Sequence, residues 1–371
     1  MTLALHYDHH EGVARAIAVR EGKVTDCFFD ALDAPQLTGA IYHGVVDRLL
    51  ARDKGAFIKL DGNSNGFMSH AEGLASGQNI MVQVKSEARE GKGPGLTHNV
   101  SLPGIYLIHQ PFEEGVHFSR RLDDQKRALA DQHIHTLLEG KPGGWVLRRA
   151  ALKASREAVE TEIHEMIQFT RKLMHLPEKQ ALCLGAPTAF EQAILSVAGE
   201  GHLQLVIEKG TDIESLTHYL RQVRPSLLAN LHITQQAGAF DNHDLNAFYR
   251  QLCRKQLTLP GGGNIVFEKT NTLTAIDVNA ADRTSVFDIN YEAAKMIMAQ
   301  LRWRNIGGMI IVDFLKMKRP DDRHAINDLM RDEASHDAMP VDVFGFTRMG
   351  LCEVSRARRG RSLPDLTEGK A

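Results

Sequence analysis

Two aspartates, Asp277 and Asp313, stand inside otherwise apolar runs, "LTAIDVN" and "MIIVDFL", and Asn279 follows the first by two residues. An ionised carboxylate in such a run is costly unless it is paired or bound to a cation. Two of them on neighbouring strands would also repel each other. A hard cation removes both costs, and carboxylate oxygens with few other protein ligands and retained waters suit magnesium. The alternative is that each Asp pairs with an Arg or caps a turn. Spacing alone leaves both readings open.

These residues need elements to hold them. Ile265–Glu268 and Leu273–Asn279 predict two strands, and alternation puts Ala275, Asp277 and Asn279 on one face of the second. Asp288 is the expected cap of a helix whose stripe is Ile289, Ala293, Met296, Ile297 and Leu301. Gly307 and Gly308 end it. The next run predicts a buried strand carrying Asp313 near its C-terminal end. Beyond it, "RPDDRHAINDLMRDEASHD" reads as an amphipathic helix, and "MPVDVFGFTRMGLCEVSRARRGRSL" as a strand followed by the basic start of a helix.

With 371 residues, the chain has room for two to four small domains. A formal net charge of -2 gives no global signature of nucleic-acid binding, so any such affinity must come from local patches. Arg302, Arg304, Lys316, Lys318 and Arg319 flank the acidic strands, and Arg356, Arg358, Arg359 and Arg361 crowd the C-terminal end. No apolar run approaches the roughly 18 residues of a membrane helix, and "MTLALHYDHH" is not a leader, so no membrane segment is expected. Cys27, Cys183, Cys253 and Cys352 form no C-x-x-C pair. That fits a reducing, cytoplasmic setting and gives a zinc site no support.

Upstream, residues 1–37 read as short strands. Residues 39–108 add many more, separated by glycine turns, which predicts a small barrel of the OB type. Phe57 and Phe67 fall on successive strands. They could stack single-stranded bases, worth about 1–3 kcal/mol per base, or fill the barrel core, which composition alone favours. The glycines around Lys92 in "EGKGPGLT" would let a phosphate approach closely, yet the segment lacks the spacing of a nucleotide-binding loop, which excludes an ATPase. A long helix is predicted from Ser155, with Ala158, Ile163, Met166, Ile167 and Phe169 on its apolar face. Residues 178–253 alternate strands and helices.

The blocks "LPGGGNIVFEKTNTLTAIDVN", "INYEAAKMIMAQLRWRNIGGMIIVDFLKM" and "GLCEVSRARR", in that order, resemble the ribonuclease E/G family of bacterial endoribonucleases. The resemblance implies an α+β multidomain fold. A ribonuclease H-like structural subdomain (1–37 plus 178–253) is followed in sequence by an inserted OB-fold (38–108) and a sensor region (109–177). A DNase I-like α/β catalytic domain (254–371) completes it. It implies one magnesium ion held by Asp277 and Asp313, with manganese an acceptable substitute, and Asn279 orienting them. Phe57, Phe67 and Lys92 match residues that contact RNA. Arg148 and Arg149 match an Arg-Thr pair that binds a 5′-monophosphate. The Thr is replaced, and Ala151 and Lys153 stand where two glycines are expected, which puts 5′-end sensing in doubt. Arg356 and Arg359 would suit phosphate contacts.

The implied activity is magnesium-dependent cleavage of single-stranded RNA to 5′-phosphate and 3′-hydroxyl ends, in ribosomal RNA processing or message decay. The rival is a catalytically silent RNA-binding protein on the same scaffold. Longer members carry a Cys-Pro-x-Cys zinc link and a small C-terminal domain. Neither is found before Ala371, so no zinc is expected, and a homodimer is one option among open oligomeric states.

Overall fold

A computed structural model describes residues 3–50, 55–60, 64–88, 91–118, 134–176, 181–200 and 202–367. Part of the expected sensor region, 119–133, lies outside them. The chain divides into two compact units, Met1–Lys23 with Asp30–Ala239, and Val24–Phe29 with Phe240–Ala371. The architecture is mixed α+β.

Strands β1 (Leu3–His10), β2 (Val13–Arg20), β3 (Lys23–Ala31), β14 (Leu203–Glu208) and β15 (Ile233–Gln236) form one sheet, ordered β15-β14-β1-β2-β3. β1 runs parallel to β14, so N-terminal strands and residues some 200 positions later share one sheet. Between them in sequence lies an OB-like closed barrel. It is built from β4 (Ile41–Leu49), β5 (Ala56–Lys59), β6 (Asn65–Met68), β7 (Asn79–Ser86) and β8 (Gly95–Thr97), and β4–β7 pairing closes it. Its core includes Val46, Ala56, Ile58, Met68, Val82 and Leu96. A smaller sheet of β9 (Leu102–Pro103), β10 (Leu107–Gln110), β11 (Gly115–Phe118) and β12 (Gly144–Leu147) packs against the helix Arg156–Met174, which Ser155 caps as its position predicts, and β13 (Ala181–Leu184) pairs with β4.

The second unit is a six-stranded sheet, ordered β16-β17-β18-β19-β21-β20: β16 (Gln256–Thr258), β17 (Asn264–Lys269), β18 (Leu273–Asn279), β19 (Gly308–Asp313), β20 (Val341–Phe346) and β21 (Cys352–Arg356). β18 and β19 are parallel and joined by the helix Val286–Trp303. That helix and Pro320–Ser335 bury one sheet face, with Ile276, Val278, Ile310 and Val312 meeting Ile289, Ala293, Ile297 and Leu301.

The sequence expectations need three corrections here. Ser285, not Asp288, caps the helix: its hydroxyl accepts the Asp288 backbone N–H at 3.4 Å, so Asp288 sits in the first turn, where its charge suits the helix dipole. Cys352–Arg356 is a second strand ahead of the short helix Leu363–Thr367, because Cys352 and Val354 alternate into the core while Glu353 stays exposed. Lastly, Asp277 and Asp313 are exposed, not buried in their apolar runs. The hydrophobic neighbours face inward at every second position, and the carboxylates occupy the intervening outward ones.

Candidate active site

Parallel pairing of β18 and β19 puts the Cα of Asp277 opposite that of Asp313. Adjacent strands lie about 4.8 Å apart, so two side chains in register on the same face are immediate neighbours. Water screens their mutual repulsion at this surface. The Asn279 amide donates to Asp277 Oδ2 at 2.8 Å and to Asn264 Oδ1, on β17, at 3.3 Å. Asn279 thereby fixes one carboxylate oxygen. Among the described residues no arginine pairs with either aspartate, and neither aspartate caps a turn.

Whether this pair suits a metal can be judged from its donors. Among the described residues no three His, Cys, Asp or Glu side chains form a cage. Two adjacent, solvent-facing carboxylates are instead a donor set for a hard cation that keeps most of its waters, which is how magnesium binds. The residues fit such an ion.

Three features that sequence reading missed hold this edge in place. Asn290, fully buried on the helix, donates to the Leu315 carbonyl at 2.8 Å and accepts the Leu315 N–H at 3.0 Å, pinning the backbone two residues beyond Asp313. The available signal was a polar residue on the apolar side of the stripe. Gly263 has φ +86°, and a Cβ there would lie 2.4 Å from the Asn279 carbonyl, so the glycine turn needs a true glycine beside the site. Arg283 forms a fork with Glu292, at 2.8 and 2.9 Å, and donates to the Gly262 carbonyl at 3.2 Å. Their hydrogen bonding holds the Glu292 carboxyl below its ordinary range. Replacing Asn290 with Ala should lower unfolding free energy by about 1–3 kcal/mol, since Leu315 loses partners for both backbone groups. Urea denaturation would show it as a lower midpoint with unchanged slope.

The barrel carries the second group of residues. Phe57 and Phe67 are directly opposed on β5 and β6, with ring centroids 5.4 Å apart and planes at 53°. Both are half-buried and point outward, whereas Ile58 and Met68 point into the barrel. The core alternative for these rings is thus set aside. A Cβ at Gly55, φ +140°, would lie 2.7 Å from the Phe67 ring, so this glycine seats the ring against the backbone. Lys92 is exposed, and a Cβ at Gly93 would come within 2.0 Å of the Asn65 carbonyl, so the loop after Lys92 runs hard against β6.

The arginines divide sharply. Arg356 is buried, not superficial: Nε and Nη2 reach Asp337 at 2.8 and 3.2 Å, and Nη1 bonds Asn305 and Ile306. That geometry makes it a structural residue, with its donors turned inward. Arg148 is half-buried, and its Nη1 donates to the carbonyls of Gly104 and Leu195. Burial draws its guanidinium below the ordinary arginine range. Arg149, by contrast, is exposed at the start of a short 3-10 helix. Arg359 is half-buried, with its guanidinium carbon 5.7 Å from the Phe28 ring centroid. A cavity of about 470 Å³, lined in part by His43, His70, His98 and Phe112, contains none of the site residues expected from sequence.

A family model described as "Ribonuclease E/G family" matches residues 101–359. The chain belongs to this family. The ribonuclease E/G match includes Asp277, Asn279, Asp313 and the arginines, and begins after the aromatic barrel pair. Among similar proteins, "Ribonuclease E" of Synechocystis sp. is 28% identical over 366 residues, covering 89% of this chain and 54% of its own length. "Ribonuclease E" of Nostoc sp. is 30% identical over 363 residues, covering 88% and 52%. "Ribonuclease G" of Haemophilus influenzae is 25% identical over 385 residues, covering 94% and 78%. The chain thus spans about half the length of the two ribonucleases E. Among the described residues no helix is long and apolar enough to cross a membrane.

Proposed function

We propose that this chain is a magnesium-dependent endoribonuclease that cuts single-stranded RNA to leave 5′-phosphate and 3′-hydroxyl ends. The observation that carries the reading is the in-register, solvent-facing pair Asp277 and Asp313, with Asn279 bonded to the first, in a chain of the ribonuclease E/G family. Asp277 and Asp313 hold the cation, and Asn279 keeps Asp277 from rotating away. When bound, the ion supplies Lewis acidity toward water and the scissile phosphate. No His or Lys is required as a base in this scheme.

On the same reading the sheet of β1–β3, β14 and β15 is the ribonuclease H-like part, and the second unit is the DNase I-like catalytic part. The outward rings of Phe57 and Phe67 stack unpaired bases, and Lys92 meets the backbone nearby. Single strands are preferred because only splayed bases can lie on such rings. Arg149, exposed while Arg148 is pinned to carbonyls, is the member of that pair placed to meet a 5′-phosphate. Ribosomal RNA precursors and messages in the cytoplasm are the proposed targets.

The test is a single-stranded, AU-rich oligonucleotide labelled at one end, incubated with and without magnesium. Internal cuts that appear only with magnesium, or with manganese in its place, are expected, each downstream product bearing a 5′-phosphate and each upstream one a 3′-hydroxyl. Tight binding without any cut would instead identify a silent RNA-binding protein. Cutting that persists in excess chelator would remove the metal from the scheme.

A further inference from the structure

On the barrel, the pairing of β4 with β5 is regular from Val45 opposite Lys59 to Val46 opposite Ile58, and then slips: Arg48, not Asp47, stands opposite Phe57. Without the slip, alternation would put the Asp47 carboxylate beside the aromatic pair. The bulge instead hands that place to a cation, and bulges commonly re-aim a side chain in this way. Asp47 is drawn off to Lys59, 3.3 Å away. The Arg48 guanidinium carbon lies 4.7 Å from the Phe57 ring centroid. Phe57 and Phe67 in turn are 5.4 Å apart, so cation, ring and ring form a row across three adjacent strands. Arg48 is exposed, and among the described residues no carboxylate pairs with it.

A guanidinium lying over a ring keeps its planar face engaged while its in-plane N–H donors stay directed outward. Those donors match phosphate oxygens. A base resting on the exposed part of Phe57 brings its own phosphate toward the in-plane donors of Arg48, which lies over that ring. Among the described residues a salt-bridge reading of Arg48 has no acidic partner to offer, and simple solubility would not require an interrupted ladder.

We infer that Arg48 is a positioning residue of the RNA platform. It holds the Phe57 ring for stacking and binds the backbone phosphate of the nucleotide stacked there. The inference rests on the reading of Phe57 and Phe67 as an RNA surface, and its test separates the two.

Binding of a fluorescent single-stranded RNA is measured across a series of salt concentrations for wild type, Arg48→Ala, Arg48→Lys and Phe57→Ala. Each is paired with cleavage kinetics in magnesium. Arg48→Ala should weaken binding about tenfold and flatten the plot of log affinity against log salt by about 0.7, the value of one phosphate contact on a single strand. KM should rise with kcat unchanged. Arg48→Lys should recover the salt slope but only part of the affinity, because an ammonium lacks the planar stack. If Phe57→Ala weakens binding while Arg48→Ala does not, the role of Arg48 is refuted and the aromatic platform stands. Weaker binding with an unchanged slope would refute the phosphate contact. If neither substitution matters, the platform itself is refuted along with Arg48.

Discussion

Replacing Asp313 with Asn should slow magnesium-dependent RNA cleavage by about 100- to 1,000-fold while leaving RNA affinity within about twofold. The substitution keeps the size of the side chain and removes a charge that would hold the proposed cation. Asp313 is exposed at the end of β19, so no core packing changes with it. Loss of several kcal/mol of charge stabilisation at the scissile phosphate is the effect being read. Asp277→Asn should behave alike, since the two carboxylates are opposed in register and share one site. Asn279→Ala should cost less, about tenfold, because it frees Asp277 to rotate without removing a ligand. Single-turnover cleavage and fluorescence anisotropy on the same oligonucleotide separate turnover from binding. Unchanged cleavage in both Asp variants would exclude this pair as the site.

The Asp277–Asp313 site was open to sequence reading because it is built from local pattern. A period of two within each strand fixes which side chains share a face, and a helix between two strands makes them parallel neighbours. Those rules place Asp277, Asn279 and Asp313 together without any distance in hand. They do not say whether the shared face is covered, and so the exposure of both carboxylates went unread. What depends on long-range contact was equally hidden. Arg356 belongs to a basic run that suggests a surface, yet its partner Asp337 is 19 residues away and brings it into the core. The bulge that sets Arg48 opposite Phe57 leaves no mark in composition. The outward turn of Phe57 and Phe67 followed only once the barrel closed and the opposite parity was seen to fill it.

Glu162 is the sharpest case of a residue with no sequence signal and a large expected effect. It lies on the helix Arg156–Met174, fully buried, where its position suggests no more than a polar interruption of the apolar face. Its carboxylate accepts three successive backbone N–H groups, from Ile105 at 2.9 Å, Tyr106 at 2.9 Å and Leu107 at 2.7 Å, and it ion-pairs with buried Arg224. Arg224 also holds Glu165 at 2.8 Å. Glu162→Gln keeps the shape but turns an amide with its own donors toward groups that are all donors. The expected loss of stability is about 3–5 kcal/mol: the one remaining carbonyl oxygen can serve only one side, so either Ile105 and buried Arg224 or Tyr106 and Leu107 are left facing a donor. Arg224→Met should cost a similar amount, and the double variant should cost less than the sum, since each partner's penalty comes from the other being stranded. The effect extends to the Arg149 segment. Arg148 donates from its backbone to Tyr106 at 2.9 Å and from its side chain to Gly104, so the segment that presents Arg149 is anchored on the very amides that Glu162 binds. Urea titration of the three variants checks this, and a Glu162→Gln midpoint equal to wild type would show that the buried carboxylate is dispensable.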